Sequence, residues 1–491
     1  MLPIAILLIL SLAAVLIAVA KLSAKRAKQL AISSHVVAFV LSLILIRQVS
    51  TEPIRLVLGA DPWNFYMFVT PPAAFMISLF IGVAFFILWS SFSMLESEID
   101  PARIGIFYAL SCALVATLCG VVMTANMINI FIFMELSSFA AVGLIIIKNK
   151  PENMRAGLRY LTLSLFGSAF ILMGIVILHN VTGLLTTSGI YAGLVENFIG
   201  NEYQIRSSFV LFTIGIALKS GLFPLHIAAP DAYVTAPTPS SALLSGLVQK
   251  AYIFTYIVIL HQAVGIEILL NDPVLSLALF VIVFTGALAI IAGSVLAILQ
   301  TDVKRMIAYS SISQVGYLFL GIGLGTRIGL FAVMLHFLAH AITKSMLFLV
   351  LGGAINSTQS SDIETLTRKS TYMKATMALF TLGALSIIGI PLLIGFNSKW
   401  YFAMGMINAE YFWLLGAVGI SALLSSCYYL PVAVRALFRP NTEEEIEEEK
   451  PRERPIRHLA PIILLAALMI VFAVFGAPLN SYIQFSIESI W

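Results

Sequence analysis

Ala217-Leu218-Lys219-Ser220-Gly221-Leu222-Phe223-Pro224-Leu225-His226 places a lysine and a proline inside an apolar run that extends from Ser208 to Ile227. Pro224 has no amide proton to give, so the carbonyl of Ser220 loses its helical partner and the helix breaks beside Lys219. In water such a break is ordinary. In hydrocarbon, an unpaired carbonyl and a charged lysine are tolerated only where protein or a watery cavity receives them, and that is where an ion path would run. Whether this run lies in a membrane therefore decides the fold.

The rest of the chain answers that question. Of 491 residues 60% are hydrophobic and only 11% charged, and the mean hydropathy is +1.00, so polar surface is too scarce to cover a water-soluble globule of this size. Apolar runs of about 20 residues, the length that crosses a bilayer, recur from end to end. About fourteen are expected, among them Ile32 to Ile46, Leu161 to Leu178, Ser240 to Leu260 and Lys374 to Phe402. The first, Pro3 to Ala20, follows no basic leader and precedes no A-x-A-like cleavage site, so it is expected to remain as a span. Cys112, Cys119 and Cys427 fall inside runs without C-x-x-C spacing, which suggests neither a metal centre nor a disulfide framework.

With the amino terminus outside, the outer loops hold only Arg47, Arg55, Arg206 and Arg327. Every other lysine or arginine falls in an inner loop, except Lys219, Lys250, Lys344 and Lys399. This positive-inside bias selects the orientation, an even number of spans and both termini outside, in a prokaryotic cell membrane. The acidic run Glu443 to Glu449 lies in the last inner loop and reads as a solvated linker or a partner-docking segment. No basic array suggests nucleic acid.

The four excepted lysines and Glu135 form an intramembrane polar set. Each charge at a span centre costs about 2.5 to 3.5 kcal/mol before pairing. Glu135, in Phe-Met-Glu-Leu-Ser-Ser, reads as a titrating carboxylate or as a neutral acid bonded between helices. Lys250 follows the loop from Pro230 to Pro239 and reads as a relay or as half of a packing ion pair. His226 and Asp231 flank the kinked turn as channel-mouth or loop-ordering residues. His336, His340 and Lys344, spaced i, i+4, i+8, share one helix stripe and line a file; a metal site there lacks a carboxylate or Cys companion. Lys399 follows Pro391 in the twelfth span, so a second helix break again accompanies a lysine.

Spans four to eight and nine to thirteen make two blocks of five, and an odd block length inverts the second in the membrane. The fold expected is an all-α integral membrane protein with two inverted five-helix repeats and discontinuous seventh and twelfth helices. Residues 1–103 form an N-terminal three-helix segment, 104–260 and 273–438 the repeats, 439–458 a charged cytoplasmic loop and 459–491 a C-terminal helix.

Lys219-Ser-Gly-Leu-Phe-Pro-Leu-His226, Pro230-Asp-Ala232, Ala236-Pro-Thr-Pro239 and Ser241-Ala-Leu-Leu244 together resemble the signature of the antiporter-like subunits of respiratory complex I, Mrp-type cation/proton antiporters and hydrogenase-like membrane complexes. Thr301-Asp-Val-Lys304-Arg-Met-Ile-Ala-Tyr309-Ser-Ser-Ile-Ser-Gln314 and His336-x-x-x-His340-Ala-x-x-Lys344 resemble the family's later motifs. Gly395-Phe-Asn-Ser-Lys-Trp400 is most similar to the version in Mrp D-type and archaeal hydrogenase-like chains. Two departures stand out: Ile227-Ala228-Ala229 replaces an aromatic and a leucine, and Pro391-Leu392 replaces Pro-Pro.

The resemblance implies a proton-transfer file of Glu135, Lys219, Lys250, His336, His340, Lys344 and Lys399. It implies no cofactor and no metal in this chain, with protons, or Na⁺ as the alternative, as the moving ion. The implied partners are other membrane subunits of one complex and a peripheral iron–sulfur redox module. A carboxylate and an ammonium about 7 Å apart interact by roughly 2.4 kcal/mol at a dielectric of 20, so separating Glu135 from Lys219 would release the lysine's proton towards Lys250. The rivals are a D-type chain of an Mrp antiporter and a membrane scaffold without its own transport.

Overall fold

The computed structural model describes residues 1–59, 65–439 and 451–491; the run Glu443 to Glu449 lies outside the described residues. Two helices, α1 (Leu2–Val19) and α2 (Ala24–Val49), precede a hairpin of β1 (Ile54–Leu58) and β2 (Phe65–Val69). There follow α3 (Pro71–Glu98), α4 (Pro101–Met123), α5 (Met127–Ile146), α6 (Pro151–Thr182), α7 (Thr187–Asn197), α8 (Glu202–Ser220) and α9 (Ala228–Thr235). The middle of the chain forms α10 (Thr238–Leu243), α11 (Gln249–Val258), α12 (Ile266–Asn271), α13 (Pro273–Ile298), α14 (Val303–Gly323) and α15 (Arg327–Thr358). The last elements are α16 (Ile363–Lys369), α17 (Lys374–Ile388), α18 (Ile394–Asn408), α19 (Leu415–Phe438), α20 (Ile456–Val474) and α21 (Ala477–Glu488).

Helix starts follow local chemistry. Prolines occupy the first turn of α3, α4, α6 and α13, where the missing amide proton costs nothing. Asp100, Asn126, Asp272, Asp302 and Thr326 cap α4, α5, α13, α14 and α15 with side-chain oxygens.

The chain is an all-α integral membrane protein. Among the described residues, 11 helices are long and apolar enough to cross a membrane, or 12 if the pair His458–Val474 and Ala477–Glu488, bent by 75°, is one span. The expected fourteen runs include segments that do not pass alone: α8 carries Glu202, Arg206 and Lys219, while α17 and α18 have 15 residues each. The starts that move most go from Ile32 to Ala24 and from Leu161 to Pro151. The helices continue beyond the apolar run and carry Lys25, Arg26, Arg155 and Arg159 outward on helical turns.

The small hairpin is a departure from purely helical expectation. It pairs Ile54 with Val69 antiparallel and is tied to the α4–α5 junction, where Thr124 Oγ1 donates to the Tyr66 carbonyl at 2.7 Å.

The core centres on α15, whose apolar window is entirely buried, flanked by α14 and the Thr238–Val264 segment. Helices α13 and α14 approach through glycine: a Cβ on Gly286 would lie 2.7 Å from the Gly316 carbonyl oxygen. By contrast α1 and α2 are mostly exposed, presenting Leu12, Leu16, Val40 and Leu43 outward.

Three interruptions shape the interior. Helix α8 stops at Gly221, left-handed at φ 73°, and the Phe223–Pro224 peptide bond that follows is cis. Helix α17 stops at Gly389, φ 95°, and Pro391 lies in the non-helical link to α18. The third was not expected: π-turns at Leu244–Val248 and Ile259–Val264 bracket α11, and the Lys250 amine takes the Ser245 carbonyl that the first π-turn presents.

Candidate ion path

Glu135 on α5 and Lys219 at the end of α8 form an ion pair at 2.9 Å. Lys219 Nζ also donates to Ser138 Oγ at 2.9 Å and Ser164 Oγ at 3.1 Å and lies 5.3 Å from the centre of the Tyr252 ring. The hydroxyl of Ser168 donates to the same carboxylate oxygen as the lysine. The Lys219 side chain has no exposure, so its charge is balanced by one carboxylate and solvated by hydroxyls. The Tyr252 hydroxyl closes the cage against Ser137 and Ser138 at 2.9 and 3.1 Å. A narrow cleft lined by Tyr160, Ser164, Leu225, His226 and Tyr233 reaches Lys219. In it, His226 stacks on Phe223 with ring centres 5.2 Å apart.

Past this pair, among the described residues, no carboxylate lies within ion-pair distance of Lys250, Lys344 or Lys399. Lys250, fully buried, donates to the Ser245 carbonyl; the adjacent Gln249 Nε2 reaches back to the Ser220 carbonyl at 3.0 Å, joining α11 to the α8 break. Lys344 donates to the Ile307 carbonyl at 3.2 Å, Ser310 Oγ at 2.7 Å and Tyr429 OH at 3.3 Å. Lys399 donates to the Ile387 and Ile388 carbonyls at 2.7 and 3.1 Å. Those carbonyls are orphans of the broken α17, so the lysine caps the negative end of the helix dipole.

Two histidines share α15 with Lys344. His336 and His340 stack with ring centres 5.7 Å apart and planes 6° from parallel. His336 Nδ1 pairs with Ser398 Oγ at 3.0 Å, next to Lys399, while both nitrogens of His340 are buried without a partner. Lys250, Lys344 and Lys399 all lie within electrostatic range of His336.

Asp231 sits apart from this row. It bridges Arg159 at 2.6 Å and Arg305 at 3.3 Å, tying α9 to α6 and α14 at a partly exposed position. Lys304, placed in an inner loop by sequence, is instead buried in the first turn of α14. It donates to the Val234 and Ala236 carbonyls at 3.2 and 2.6 Å, because the last turn of α9 and the residue after it leave them without a helical partner. The hydroxyl groups of Ser138, Ser164, Ser168, Ser310, Tyr252 and Tyr429 were not singled out from sequence. The only available signal was Ser137-Ser138, two and three residues after Glu135.

Buried ionisable side chains between two helix breaks in a polytopic helical bundle mark this protein as a multi-pass membrane protein with a polar interior. The family model described as "NADH:quinone oxidoreductase/Mrp antiporter, TM" matches residues 124–425, and the chain belongs to that family. It is 31% identical over 441 residues to NADH-quinone oxidoreductase subunit N of Desulforudis audaxviator, covering 87% of this chain and 85% of that one. To the D-type chain of the Na(+)/H(+) antiporter of Alkalihalophilus pseudofirmus it is 27% identical over 416 residues, 84% of this chain and 80% of the other. Among solved structures, a chain of the membrane-bound sulfane sulfur reductase, an archaeal respiratory membrane complex, superimposes with a TM-score of 0.88 at 26% identity, over 99% of this chain and 97% of that one. A chain of the Mrp complex from Dietzia sp. shares the fold, with a TM-score of 0.87 at 18% identity over 100% and 97%. The chain is an antiporter-like membrane subunit related to those of complex I-like and Mrp-like assemblies.

Proposed function

We propose that this chain carries protons across the cell membrane along Glu135, Lys219, Lys250, His340, His336 and Lys399, with Lys344 beside the file, inside a multi-subunit ion-pumping complex. One observation carries the reading: Lys250, Lys344 and Lys399 are buried and, among the described residues, have no carboxylate within ion-pair distance. A scaffold that kept charges for packing would keep their counter-ions, since a buried unpaired ammonium is the costly state. Amines solvated by carbonyls and hydroxyls are suited to taking up and releasing a proton. The unpartnered His340 offers a nitrogen on each side.

In the proposed cycle, the 2.9 Å Glu135–Lys219 contact holds the lysine charged. Separation of the pair sends its proton towards Lys250, and the hydroxyl cage re-solvates the amine left behind. The fourteen spans, the two inverted repeats over 104–260 and 273–438, and both termini outside belong to this reading. So do other membrane subunits as partners and a peripheral iron–sulfur module as the driving unit; the respiratory relatives support them. The antiporter relative favours a second reading in which H⁺ flux is exchanged for Na⁺. Omitting Na⁺ from the vesicles distinguishes the two, because only the second then stops.

The test is Lys219→Ala, Glu135→Ala and the double variant, scored for assembled complex and for pH-gradient formation in membrane vesicles. Both single variants should assemble, transport should be lost in each, and the double variant should regain none. Wild-type gradient formation by Lys219→Ala would end the reading. Failure of both singles to assemble, with recovery in the double, would make the pair a structural bridge.

A further inference from the structure

From the geometry we infer a second conducting branch, a buried hydroxyl seam between α14 and α19 that joins Lys344 to Lys399 without passing through His336 and His340. The inference rests on the proton-carrying reading above and deepens it. At one end, Lys344 Nζ donates to Ser310 Oγ at 2.7 Å, and Ser310 Oγ meets Tyr429 OH at 3.0 Å. The Ser310 hydroxyl also lies beside Tyr428, whose own hydroxyl donates to Ser425 Oγ at 3.4 Å. One helical turn further along α19 is Ser421, and at the other end is Tyr317, whose ring centre lies 5.2 Å from Lys399 Nζ.

Two features separate this seam from ordinary packing. The polar positions run in antiparallel register: Ser310 opposes Tyr429, and seven residues later on α14 Tyr317 opposes Ser421, eight residues earlier on α19. At 1.5 Å per residue the seam spans about 10 Å, the same depth that His336 to Lys344 covers on α15. The second feature is the state of its far end. Tyr317 OH and Ser421 Oγ are buried beside one another in a loose contact and, among the described residues, neither has a well-formed hydrogen bond. Helix α19 could have carried alanine at 421 and α14 phenylalanine at 317 at the loss of only this loose contact. Two hydroxyls in loose contact, each free to rotate, form a link through which a proton can pass.

The step balances as a hop and turn. The Lys344 ammonium gives one proton to Ser310 Oγ, which releases its own to the tyrosine side. Each hydroxyl or intervening water repeats the exchange, and an uncharged Lys399 amine gains one proton. Every hydroxyl ends as it began once it has rotated; only the two lysines change charge.

Tyr429→Phe and Ser421→Ala, each made in the full complex, test the branch by the initial rate of gradient formation in H₂O and D₂O, with Lys219→Ala as the reference. Ser421→Ala is decisive, because it removes a hydroxyl whose one contact is the loose one with Tyr317 OH and so should leave assembly intact. Either variant should assemble at the wild-type level, transport several-fold more slowly and show an altered isotope effect. Combining Ser421→Ala with His336→Ala and His340→Ala should abolish transport that the histidine double variant retains in part. Wild-type rates in both hydroxyl variants, with Lys219→Ala inactive, would overturn the branch and leave the main path standing. Wild-type transport by Lys219→Ala would instead overturn the proton-carrying reading on which the branch depends.

Discussion

Lys399 shows how one side chain combines structure and chemistry. Its amine donates to two carbonyls left open by the end of α17, so it holds the helix break, and in the proposed path it is also a proton site. Glutamine separates the two roles, because its amide can donate to the same carbonyls but carries no titratable proton. Lys399→Gln should therefore assemble at the wild-type level and form no gradient, whereas wild-type transport by this variant would reduce Lys399 to a cap. A second residue, Asp272, lies outside the spans, where Arg206 donates to it at 2.6 and 3.2 Å. That hydrogen bond, followed by those from the Leu275 and Val274 amides, holds its carboxyl below the usual range. A depressed carboxyl contributes stability that is complete above its unfolded pKa, about 3.9, and is lost as pH falls through the lower folded value. Thermal melting of the solubilised complex should thus be insensitive to this group from pH 8 to 5 and should drop below about pH 4. Asp272→Asn keeps the cap on α13 and removes the ion pair, and Asp272→Ala loses about 1 kcal/mol more with the cap. The ionisable residues were legible in the sequence because a charge in an apolar run is conspicuous. Their hydroxyl partners were not, since Ser and Tyr enter membrane helices at little cost and only the fold shows which ones face Lys219 or Lys344.

At the level of elements, the two broken helices could be read from Pro224 and Pro391, but each is terminated by a glycine rather than by the proline itself. Gly221 and Gly389 adopt left-handed φ values of 73° and 95° that end α8 and α17. The π-turns around α11 escaped sequence reading because a π-turn has no residue signature; this one is stabilised by the Lys250 amine on the Ser245 carbonyl, a contact made only in the folded bundle. Gly389 tests whether the break positions the lysine. An added Cβ would meet Lys399 Cδ at 3.0 Å and strain the left-handed backbone by about 1 kcal/mol. Gly389→Ala should still assemble, with a modest loss of thermal stability, yet its transport rate should fall by more than that loss explains. At Gly221 the same change meets Ala229 Cβ at 3.3 Å and no lysine atom within 4 Å, which makes Gly221→Ala the comparison for backbone strain alone. Equal transport loss in the two would show that strain, and not the seat of Lys399, limits the rate.

For the whole molecule the open quantity is direction: a file of proton sites does useful work only if its ends open to known sides. The distribution of lysine and arginine predicts that side, and burial sharpens the choice of probes. Lys304 illustrates why charge alone was insufficient, since a residue counted with the inner loop proves to be buried against the Val234 and Ala236 carbonyls and would label poorly. Arg454 is likewise drawn inward, donating to Ser93 Oγ at 3.2 Å, whereas Lys150, Arg452, Arg55 and Arg327 are exposed. Of the native thiols, Cys112 and Cys119 are buried and Cys427 is exposed on α19, so Cys427→Ser supplies a background free of accessible cysteine. On that background, single cysteines at 150 and 452 should react with an impermeant maleimide only from the cytoplasmic side, and those at 55 and 327 only from outside. The reverse pattern would invert the subunit. It would then move the Lys219 cleft to the other side of the membrane, and the proposed proton path would have to run the other way for the same driving reaction.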